Sequence, residues 1–294
     1  MNVFLKRYQE FLDVEKLRKV EIPKSIRVNT LKIDEKELVK RLSAENVQLE
    51  KIGFLDFGYF VKKSAFSLGS APEFLMGYYY VQEAASQIPV RILNPNENET
   101  VLDMAASPGG KTTQIAQCMN NKGILIAAEK EKHRINALKN NIERLGVKNC
   151  IVYNIDGADV RNLGIEFDKI LLDAPCSGSF LTDPKWFDKK NIRGFKERQE
   201  LQKRLLSAGI SVLKKGGILV YSTCSLEPEE NEEVIDWAIA NLPVKTEKIE
   251  LKIGKPALLE FEGRGFGKEV QKCVRIIPYE NNTQPFFIAK IAKK

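Results

Sequence analysis

From about residue 80 onward, short apolar runs alternate with longer segments in which apolar residues recur at helical spacing. Six of these runs predict β-strands, at residues 101–106, 123–130, 150–157, 169–175, 216–225 and 285–292. The intervening segments include a long amphipathic stretch around Leu201–Leu213 and another at 229–241, and both predict helices. Strands that alternate with helices are typical of βαβ units, so we predict a parallel sheet that is buried on both faces.

The first 70 residues follow a different pattern. They predict a helix over 3–20, a strand over 25–33, a helix at 34–45 with Asp34 as its N-cap, and an extended piece at 58–66. The segment Ser67–Glu73 is rich in turn-forming residues, which indicates a break. We therefore predict an N-terminal domain at residues 1–70 and a larger domain at residues 71–294.

Composition excludes several classes of protein. The 294 residues contain no apolar run long enough to span a membrane, and the N-terminus has no apolar signal segment, so we expect no membrane contact. The five cysteines are scattered without a CxxC motif, and His133 is the single histidine, which disfavours zinc, disulfides and a His-based triad. We expect a cytoplasmic protein without a metal. The net charge of +7 permits a polyanionic partner.

Polar residues of chemical interest fall where the predicted strands end. Asp103, Glu129, Asp156, Asp173 and Cys224 each lie at or just past the end of a strand. In sheets of this kind, ligands bind at the carboxyl ends of the strands. The sequence therefore predicts a functional site at this edge.

The loop from Asp103 to Thr112 suits a nucleotide-like cofactor. Gly109 and Gly110 permit a tight turn and close approach of a ligand, but Ala105 stands where a phosphate-binding P-loop requires glycine. Glu129, 20 residues beyond Gly109, is placed to bind ribose hydroxyls, and Asp156 to reach an adenine amino group. Together they describe an adenosine with a small charged tail, and S-adenosyl-L-methionine fits, with its sulfonium near Asp103.

Two cysteines lie in polar loops at the same edge. Cys176 follows the fourth strand and Cys224 the fifth, so the thiols are expected to flank one pocket, with Lys111 as a cation that favours a thiolate. A thiolate that adds to carbon 6 of cytosine makes carbon 5 able to attack a methyl sulfonium. This chemistry does not decide which thiol is the nucleophile. Cys118, Cys150 and Cys273 are interpreted as small apolar residues.

Several motifs resemble the RNA cytosine-carbon-5 methyltransferases of the Sun/Fmu type, and most closely the archaeal tRNA enzymes of that family. They are IRVNTLK (26–32), QEAAS (82–86), DMAASPGGKT (103–112), AEKEKHR (128–134), DGAD (156–159), DAPCSGSF (173–180) and YSTCSLEPEENEEVI (221–235). The resemblance implies an α/β, Rossmann-like methyltransferase with a seven-stranded mixed sheet and a small N-terminal α+β RNA-binding domain. The last strand departs locally, with Pro285 where the family commonly has glycine. We expect no separate C-terminal RNA-binding module.

The resemblance also implies roles for individual residues. Cys224 would be the nucleophile, Cys176 would assist product release, and Asp173 would protonate or hydrogen-bond ring nitrogen 3, while related DNA enzymes make Cys176 the rival nucleophile. The residues expected to bind S-adenosylmethionine are Ala105, Ala106, Ser107, Pro108, Gly109, Gly110, Lys111, Glu129, Arg134, Asp156 and Asp173.

A basic segment directly follows the Cys176 loop. Residues 185–204 carry eight Lys/Arg and three Asp/Glu, and they suit phosphate contacts and base stacking, the alternative being a solvated helix. The aromatic residues of this segment are Trp186, Phe187 and Phe195. In the N-terminal part of the chain, the residues expected to extend the RNA-binding surface are Arg27, Asn29, Lys62 and Lys63. His133 is interpreted as a surface helix residue.

We therefore predict a monomeric enzyme that methylates cytosine carbon 5 in RNA, and the family resemblance favours tRNA as the substrate. Two alternatives stay open: the same chemistry on ribosomal RNA, and a catalytically silent RNA-binding assembly factor on the same scaffold.

Overall fold

A small antiparallel sheet occupies the first part of the chain in the computed structural model, which describes residues 2–294. The elements are α1 (Val3–Tyr8), α2 (Val14–Arg18), β1 (Ser25–Val28), α3 (Glu35–Ala44), β2 (Gln48–Lys51), β3 (Gly58–Lys63), α4 (Pro72–Leu75) and β4 (Tyr79–Val81). The strand order is β2-β3-β1-β4. The helix predicted over 3–20 is two helices, because the Asp13 side chain caps a new helix by accepting from the Lys16 N–H.

The α3 helix packs its apolar stripe on the small sheet. The Asp34 side chain accepts from the backbone N–H groups of Lys36 and Glu37, which confirms the predicted N-cap. Leu38 and Leu42 lie in one buried cluster with residues of β1 and β4. The predicted boundary after residue 70 stays a prediction; β4 follows that point and yet pairs with β1.

The rest of the chain forms a large sheet with helices on both faces. Its elements are α5 (Ile88–Leu93), β5 (Thr100–Asp103), α6 (Gly110–Cys118), β6 (Ile124–Ala128), α7 (Lys132–Arg144), β7 (Cys150–Tyr153), β8 (Phe167–Asp173), α8 (Trp186–Lys189), α9 (Ile192–Val212), β9 (Leu213–Thr223), α10 (Glu232–Asn241), β10 (Val244–Glu247), β11 (Lys255–Pro256), β12 (Glu260–Phe261), β13 (Arg264–Gly265), β14 (Val274–Ile276), α11 (Pro278–Asn281) and β15 (Phe286–Lys293).

Seven strands form the body of this sheet, in the order β7-β6-β5-β8-β9-β15-β14. Neighbours from β7 to β9 are parallel, whereas β15 is antiparallel to both β9 and β14. The predicted mixed sheet is thus confirmed, and the described residues add two strands to the predicted seven. Two short strands are added to this sheet: β11 pairs with β14, and β10 pairs with β15. The segment between α10 and β15 carries five strands in all that the apolar pattern did not indicate.

The central strands read as continuous apolar runs because both of their faces are covered. In β5, Leu102 belongs to one buried cluster and its neighbour Val101 to the cluster on the opposite face. The same alternation separates Ile170 from Leu171 in β8. Burial on both faces fixes the ends of these strands, and with them the loops that follow.

Two N-terminal residues that were expected to contact RNA join the small sheet to the large one instead. Arg27 is 2% exposed and donates to the side chain of Gln82, the carbonyl of Gly110 and the hydroxyl of Thr113. Asn29 is 1% exposed and donates to the carbonyls of Gly77 and Leu145. The prediction of RNA contacts was wrong for both, since both side chains are buried and donate hydrogen bonds inside the protein. Lys62 and Lys63 are exposed.

The α1 helix is fastened to the loop that follows β9. Arg7 is 5% exposed; its Nη1 lies 3.0 Å from Glu227 Oε2 and its Nε 2.9 Å from Glu262 Oε1, and it also pairs with Glu229. The Tyr8 hydroxyl donates to Glu227. These contacts connect the start of the chain to a loop that begins just after Cys224.

We expect Arg7→Ala to lower the free energy of unfolding by about 3 kcal/mol, because the buried carboxyl groups of Glu227 and Glu229 would lose their ion-pair and hydrogen-bond partner. Urea unfolding followed by circular dichroism measures this. Arg18→Ala, which removes an exposed pairing with Glu15, is the matched control and should change stability little. Equal losses in the two variants would show that the Arg7 cluster contributes nothing specific.

Candidate active site

The two loop cysteines lie side by side. The strands β8 and β9 are parallel neighbours with Asp173 opposite Ser222, so the loops that follow them leave the sheet together. The Sγ atoms of Cys176 and Cys224 are 3.2 Å apart and share a hydrogen bond. The expected convergence of the two thiols at one edge is therefore present in the structure.

The two thiols differ in their tendency to ionise. A hydrogen bond from Cys176 lowers the pKa of Cys224, with help from the positive charge of Lys111 and against the effects of burial and Asp173. The pKa of Cys176 is raised well above its usual value, first by the same hydrogen bond and then by burial. Both pKa shifts are explained if Cys224 is a thiolate that accepts a hydrogen bond from the Cys176 S–H.

An ion pair lies next to the thiols. Lys111 Nζ is 2.6 Å from Asp173 Oδ2, and the Ser222 hydroxyl donates to Asp173 Oδ1 at 2.7 Å. Burial lowers the pKa of Lys111, but the Asp173 carboxylate and Cys224 outweigh it, and the pKa is raised overall. Lys111 Nζ also lies 5.5 Å from the ring centroid of Phe286. The site thus keeps a charged ammonium beside the more acidic thiol.

The glycine loop lines a cavity of about 240 Å³ next to this ion pair. Gly109 has φ +106°, a conformation that favours glycine, and a Cβ there would lie 3.1 Å from Leu138 Cδ1. Its neighbour Gly110 begins α6. The loop residues Ala105, Ala106, Ser107 and Pro108 line the cavity with Lys111 and Asp173.

A second cavity, of about 290 Å³, adjoins the first through Ala105. Glu129, Arg134 and Asp156 line it. Glu129 is 4% exposed, and its carboxylate accepts from the backbone N–H groups of Ser107 and Glu131. Asp156 accepts from the Ala158 N–H at 3.0 Å and pairs with Lys130 at 2.9 Å. Carboxylates in fixed positions beside an adenosine-sized hollow are suited to ribose and adenine contacts.

S-adenosylmethionine fits this pair of cavities. Asp103 lines the first cavity at the start of the glycine loop: its Oδ2 accepts from the Thr112 hydroxyl at 2.7 Å, and its Oδ1 is buried without a hydrogen-bond partner among the described residues. Burial raises the pKa of Asp103 to about 6. A cationic sulfonium near this carboxylate would stabilise its charged form.

The structure brings together the residues predicted for the site. Ten of them line one cavity or the other, Cys176 and Cys224 form the thiol pair, and Gly109 shapes the loop; the ten are Ala105, Ala106, Ser107, Pro108, Gly110, Lys111, Glu129, Arg134, Asp156 and Asp173. Sequence reasoning missed Tyr80 and Glu83, which line the first cavity. The QEAAS motif contained Glu83 but suggested no role for it.

Two of the three aromatic residues of the basic segment are buried, and Phe187 is half-buried. Trp186 and Phe195 are each 1% exposed, and they pack with Phe4 in a buried aromatic cluster. The Trp186 indole N–H donates to the carbonyl of Ser177, close to Cys176. The prediction that Trp186 and Phe195 stack on bases was therefore wrong. Both rings are buried in an apolar cluster beneath the Cys176 loop and are not available to a base. Phosphate contacts by the exposed cations of residues 185–204 stay a prediction.

The remaining predictions concern single residues and absences. His133 is exposed on α7, as interpreted. Cys273 is buried and Cys150 half-buried, whereas Cys118 is exposed at the end of α6, so only two of the three are apolar interior residues. Across residues 2–294, no helix is long and apolar enough to cross a membrane, and no cluster of His, Cys, Asp and Glu is arranged to hold a metal ion.

Comparison with known proteins places the chain in a family. Residues 90–292 match the family model "16S rRNA methyltransferase RsmB/F", and residues 1–84 match "N-terminal domain of 16S rRNA methyltransferase RsmF". The chain is 43% identical over 274 residues to a tRNA (cytosine(49)-C(5))-methyltransferase of Pyrococcus abyssi, covering 92% of this chain and 88% of that protein.

Two further comparisons extend this result. The chain is 40% identical over 280 residues to the 25S rRNA (cytosine-C(5))-methyltransferase nop2 of Schizosaccharomyces pombe, covering 92% of this chain but only 46% of that protein. The crystal structure of NSun6 from Pyrococcus horikoshii with SFG, an S-adenosylmethionine analogue, aligns at 29% identity with a TM-score of 0.86 over 98% of this chain and 97% of that one. The fold, the glycine loop and these relatives agree, and the chain belongs to the family of S-adenosylmethionine-dependent RNA cytosine-carbon-5 methyltransferases.

Proposed function

We propose that the chain methylates carbon 5 of cytosine in tRNA through a covalent adduct between Cys224 and carbon 6 of the base. One observation carries the proposal: two thiols lie 3.2 Å apart beside the Lys111–Asp173 ion pair, at the edge of the cavity lined by the glycine loop. Methylation of an amino group needs no nucleophilic thiol, whereas activation of a ring carbon does.

Cys224 starts the reaction. Its thiolate adds to carbon 6, the carbon–sulfur bond forms, and the electron pair of the carbon 5–carbon 6 double bond shifts toward ring nitrogen 3. That nitrogen takes up a proton, which the adjoining Lys111 and Asp173 are placed to supply. Carbon 5 then has the character of an enamine and can attack an electrophilic methyl group. S-adenosylmethionine supplies that group when it is bound.

The second half of the reaction restores the aromatic ring. A base removes the proton from carbon 5, the electron pair re-forms the double bond, and the bond between carbon 6 and the Cys224 sulfur breaks. Ring nitrogen 3 returns its proton to the Lys111–Asp173 pair, which leaves neutral 5-methylcytosine. The Cys176 S–H lies within hydrogen-bond distance of that sulfur and stabilises it as a departing thiolate. Cys176 therefore has a role in release of the methylated base.

Support for tRNA over ribosomal RNA comes from the extent of the matches. The chain covers 88% of the P. abyssi tRNA enzyme but less than half of the S. pombe rRNA enzyme. We propose that residues 105–111, with Glu129, Arg134, Asp156 and Asp173, hold S-adenosylmethionine, and that the small N-terminal sheet contacts RNA. A monomeric state and a cytoplasmic location stay predictions.

Bisulfite sequencing tests the proposed function directly. Purified protein is incubated with S-adenosylmethionine and either unmodified tRNA transcripts or ribosomal RNA fragments, and each RNA is sequenced for protected cytosines. Protection at a defined tRNA position supports the proposal. Protection confined to ribosomal RNA would assign the same chemistry to the other substrate, and protection in neither would favour a catalytically silent RNA-binding factor.

We expect Lys111→Met to shift the rising limb of the pH profile upward by about one pH unit. Thiolate is the reactive form, so activity rises with pH through the Cys224 pKa, and removal of a neighbouring cation raises that pKa. Single-turnover methyl transfer between pH 5.5 and 9.5 measures the shift. Lys40→Met, which alters an exposed lysine on α3, should leave the profile unchanged; a Lys111→Met profile that falls in height without moving would contradict the electrostatic role.

A further inference from the structure

Glu83 is a carboxylate in the first cavity that the reaction scheme does not use. It follows β4 of the small sheet and lines the same cavity as Lys111 and Asp173. Its Oε1 accepts from the backbone N–H of Gln284 at 3.0 Å, and its Oε2 from that of Ser86 at 3.2 Å. Two segments that are far apart in sequence thus hold the carboxylate in place from both sides.

The other two carboxylates of this cavity already have side-chain partners. Asp173 is bound by Lys111 and Ser222, and Asp103 accepts from Thr112. Glu83 is held by backbone N–H groups only. Each oxygen of a carboxylate can accept more than one hydrogen bond, so Glu83 retains acceptor capacity toward a ligand in the cavity.

The environment of Glu83 favours a ligand that donates a hydrogen bond. Burial raises the pKa of Glu83 to about 7, against the opposing effect of the N–H groups of Gln284 and Ser86. A donor that reaches the carboxylate would stabilise its charged form. Cytosine carries such a donor in its 4-amino group, whereas uracil presents an oxygen acceptor at the same place.

We propose that Glu83 accepts a hydrogen bond from the 4-amino group of the target cytosine and so distinguishes cytosine from uracil. The proposal rests on the proposed function, because it places the target base in the cavity beside Asp173, next to the methyl-donor end of S-adenosylmethionine. Asp173 serves ring nitrogen 3, and the neighbouring 4-amino group needs a separate acceptor. Glu83 offers one from the wall that the N-terminal part of the chain contributes.

Discrimination follows from the cost of unpaired polar groups. Above its pKa of about 7, Glu83 is a carboxylate; with uracil in the cavity it would face a carbonyl oxygen, both of them acceptors and both removed from water. A site built to hydrogen-bond one substrate group rejects analogues that lack it far more strongly than an apolar pocket does. Backbone N–H groups make good anchors for such a site, because no side-chain rotation is needed to present the carboxylate.

The test compares two RNAs that differ in one functional group of the target base. Synthetic RNA with the mapped target position carries either cytidine or zebularine, which lacks the 4-amino group but keeps ring nitrogen 3. Single-turnover transfer of tritiated methyl into acid-precipitable RNA counts free product and covalent adduct alike. The quantity of interest is the ratio of the cytidine rate to the zebularine rate, measured for the wild type and for Glu83→Ala.

We expect the ratio to fall by about tenfold or more in Glu83→Ala, the effect of losing a hydrogen bond to a charged group. Comparing ratios cancels the different intrinsic reactivities of the two bases, and also any fraction of unfolded protein. Glu83→Gln, which keeps the size of the side chain, should give an intermediate ratio. Glu45→Gln, at an exposed position, should keep the wild-type ratio.

The outcomes separate this inference from the function on which it rests. If the wild type methylates neither RNA, the proposed function fails. If the wild type methylates cytidine and the ratio is the same in Glu83→Ala, then Glu83 makes no contact with the amino group and only this inference fails. A loss of thermal stability with an unchanged ratio would assign Glu83 to the turn around Ser86 instead.

Discussion

Replacement of Cys224 by alanine is expected to lower the rate of methyl transfer to RNA by about a thousandfold or more. Alanine has no atom that can bond to carbon 6, so carbon 5 stays a poor nucleophile whatever else the site provides. The structure supports Cys224 as the nucleophile because its pKa is lowered by the Cys176 hydrogen bond and by Lys111. Initial rates with tritiated S-adenosylmethionine measure the effect.

Cys118→Ala is the matched control, because Cys118 is an exposed thiol at the end of α6, away from the site. It should retain wild-type activity. Binding of S-adenosylmethionine by Cys224→Ala, followed by calorimetry, checks that the cofactor cavity is intact. Activity in Cys224→Ala above about a tenth of the wild-type rate would exclude the proposed covalent role.

Replacement of Cys176 by alanine is expected to trap the RNA on the protein. Without the S–H that hydrogen-bonds the Cys224 sulfur at 3.2 Å, that sulfur becomes a poorer leaving group and the adduct is released slowly. Addition itself also slows, because the same hydrogen bond lowers the Cys224 pKa. Multiple turnover should therefore be lost, while one equivalent of RNA accumulates in covalent form.

A denaturing gel of Cys176→Ala with labelled RNA and S-adenosylmethionine should show a slowly migrating band that protease removes. The double variant Cys176→Ala, Cys224→Ala should show none, since it has no sulfur to form the bond. If Cys224→Ala gives the band and Cys176→Ala does not, the roles of the two cysteines are the reverse of those proposed. The two single variants therefore decide between the two candidate nucleophiles.

Several features of the molecule were predictable from local patterns. Apolar runs of strand length identify β5, β6, β8 and β9, because a strand covered on both faces must be apolar throughout. The run of β7 also identifies a strand, although this edge strand is partly exposed. The glycines of the 103–112 loop predict close backbone approach to a ligand. Residues at the ends of parallel strands must meet at one edge, so the clustering of Asp103, Asp173 and Cys224 could also be anticipated.

Other features depend on contacts between distant segments. Within residues 244–276, β10 pairs with β15 and β11 pairs with β14, and the apolar patterns of these short strands are too brief to indicate them. Arg27 and Trp186 are residue types that suit RNA contacts, but both are buried by residues distant along the chain. Arg27 donates to the carbonyl of Gly110, and Trp186 packs against Phe4.

The sequence by itself thus determined the layered fold, the cofactor loop and the set of reactive residues, because periodicity and strand ends are local properties of the chain. Only the tertiary structure decided how those residues act. The separation of the two sulfurs, the pairing of Lys111 with Asp173 and the placement of Glu83 in the cavity all arise from side chains that different segments bring together. Burial and electrostatic coupling depend on such neighbours in space, and the order of residues along a chain does not state them.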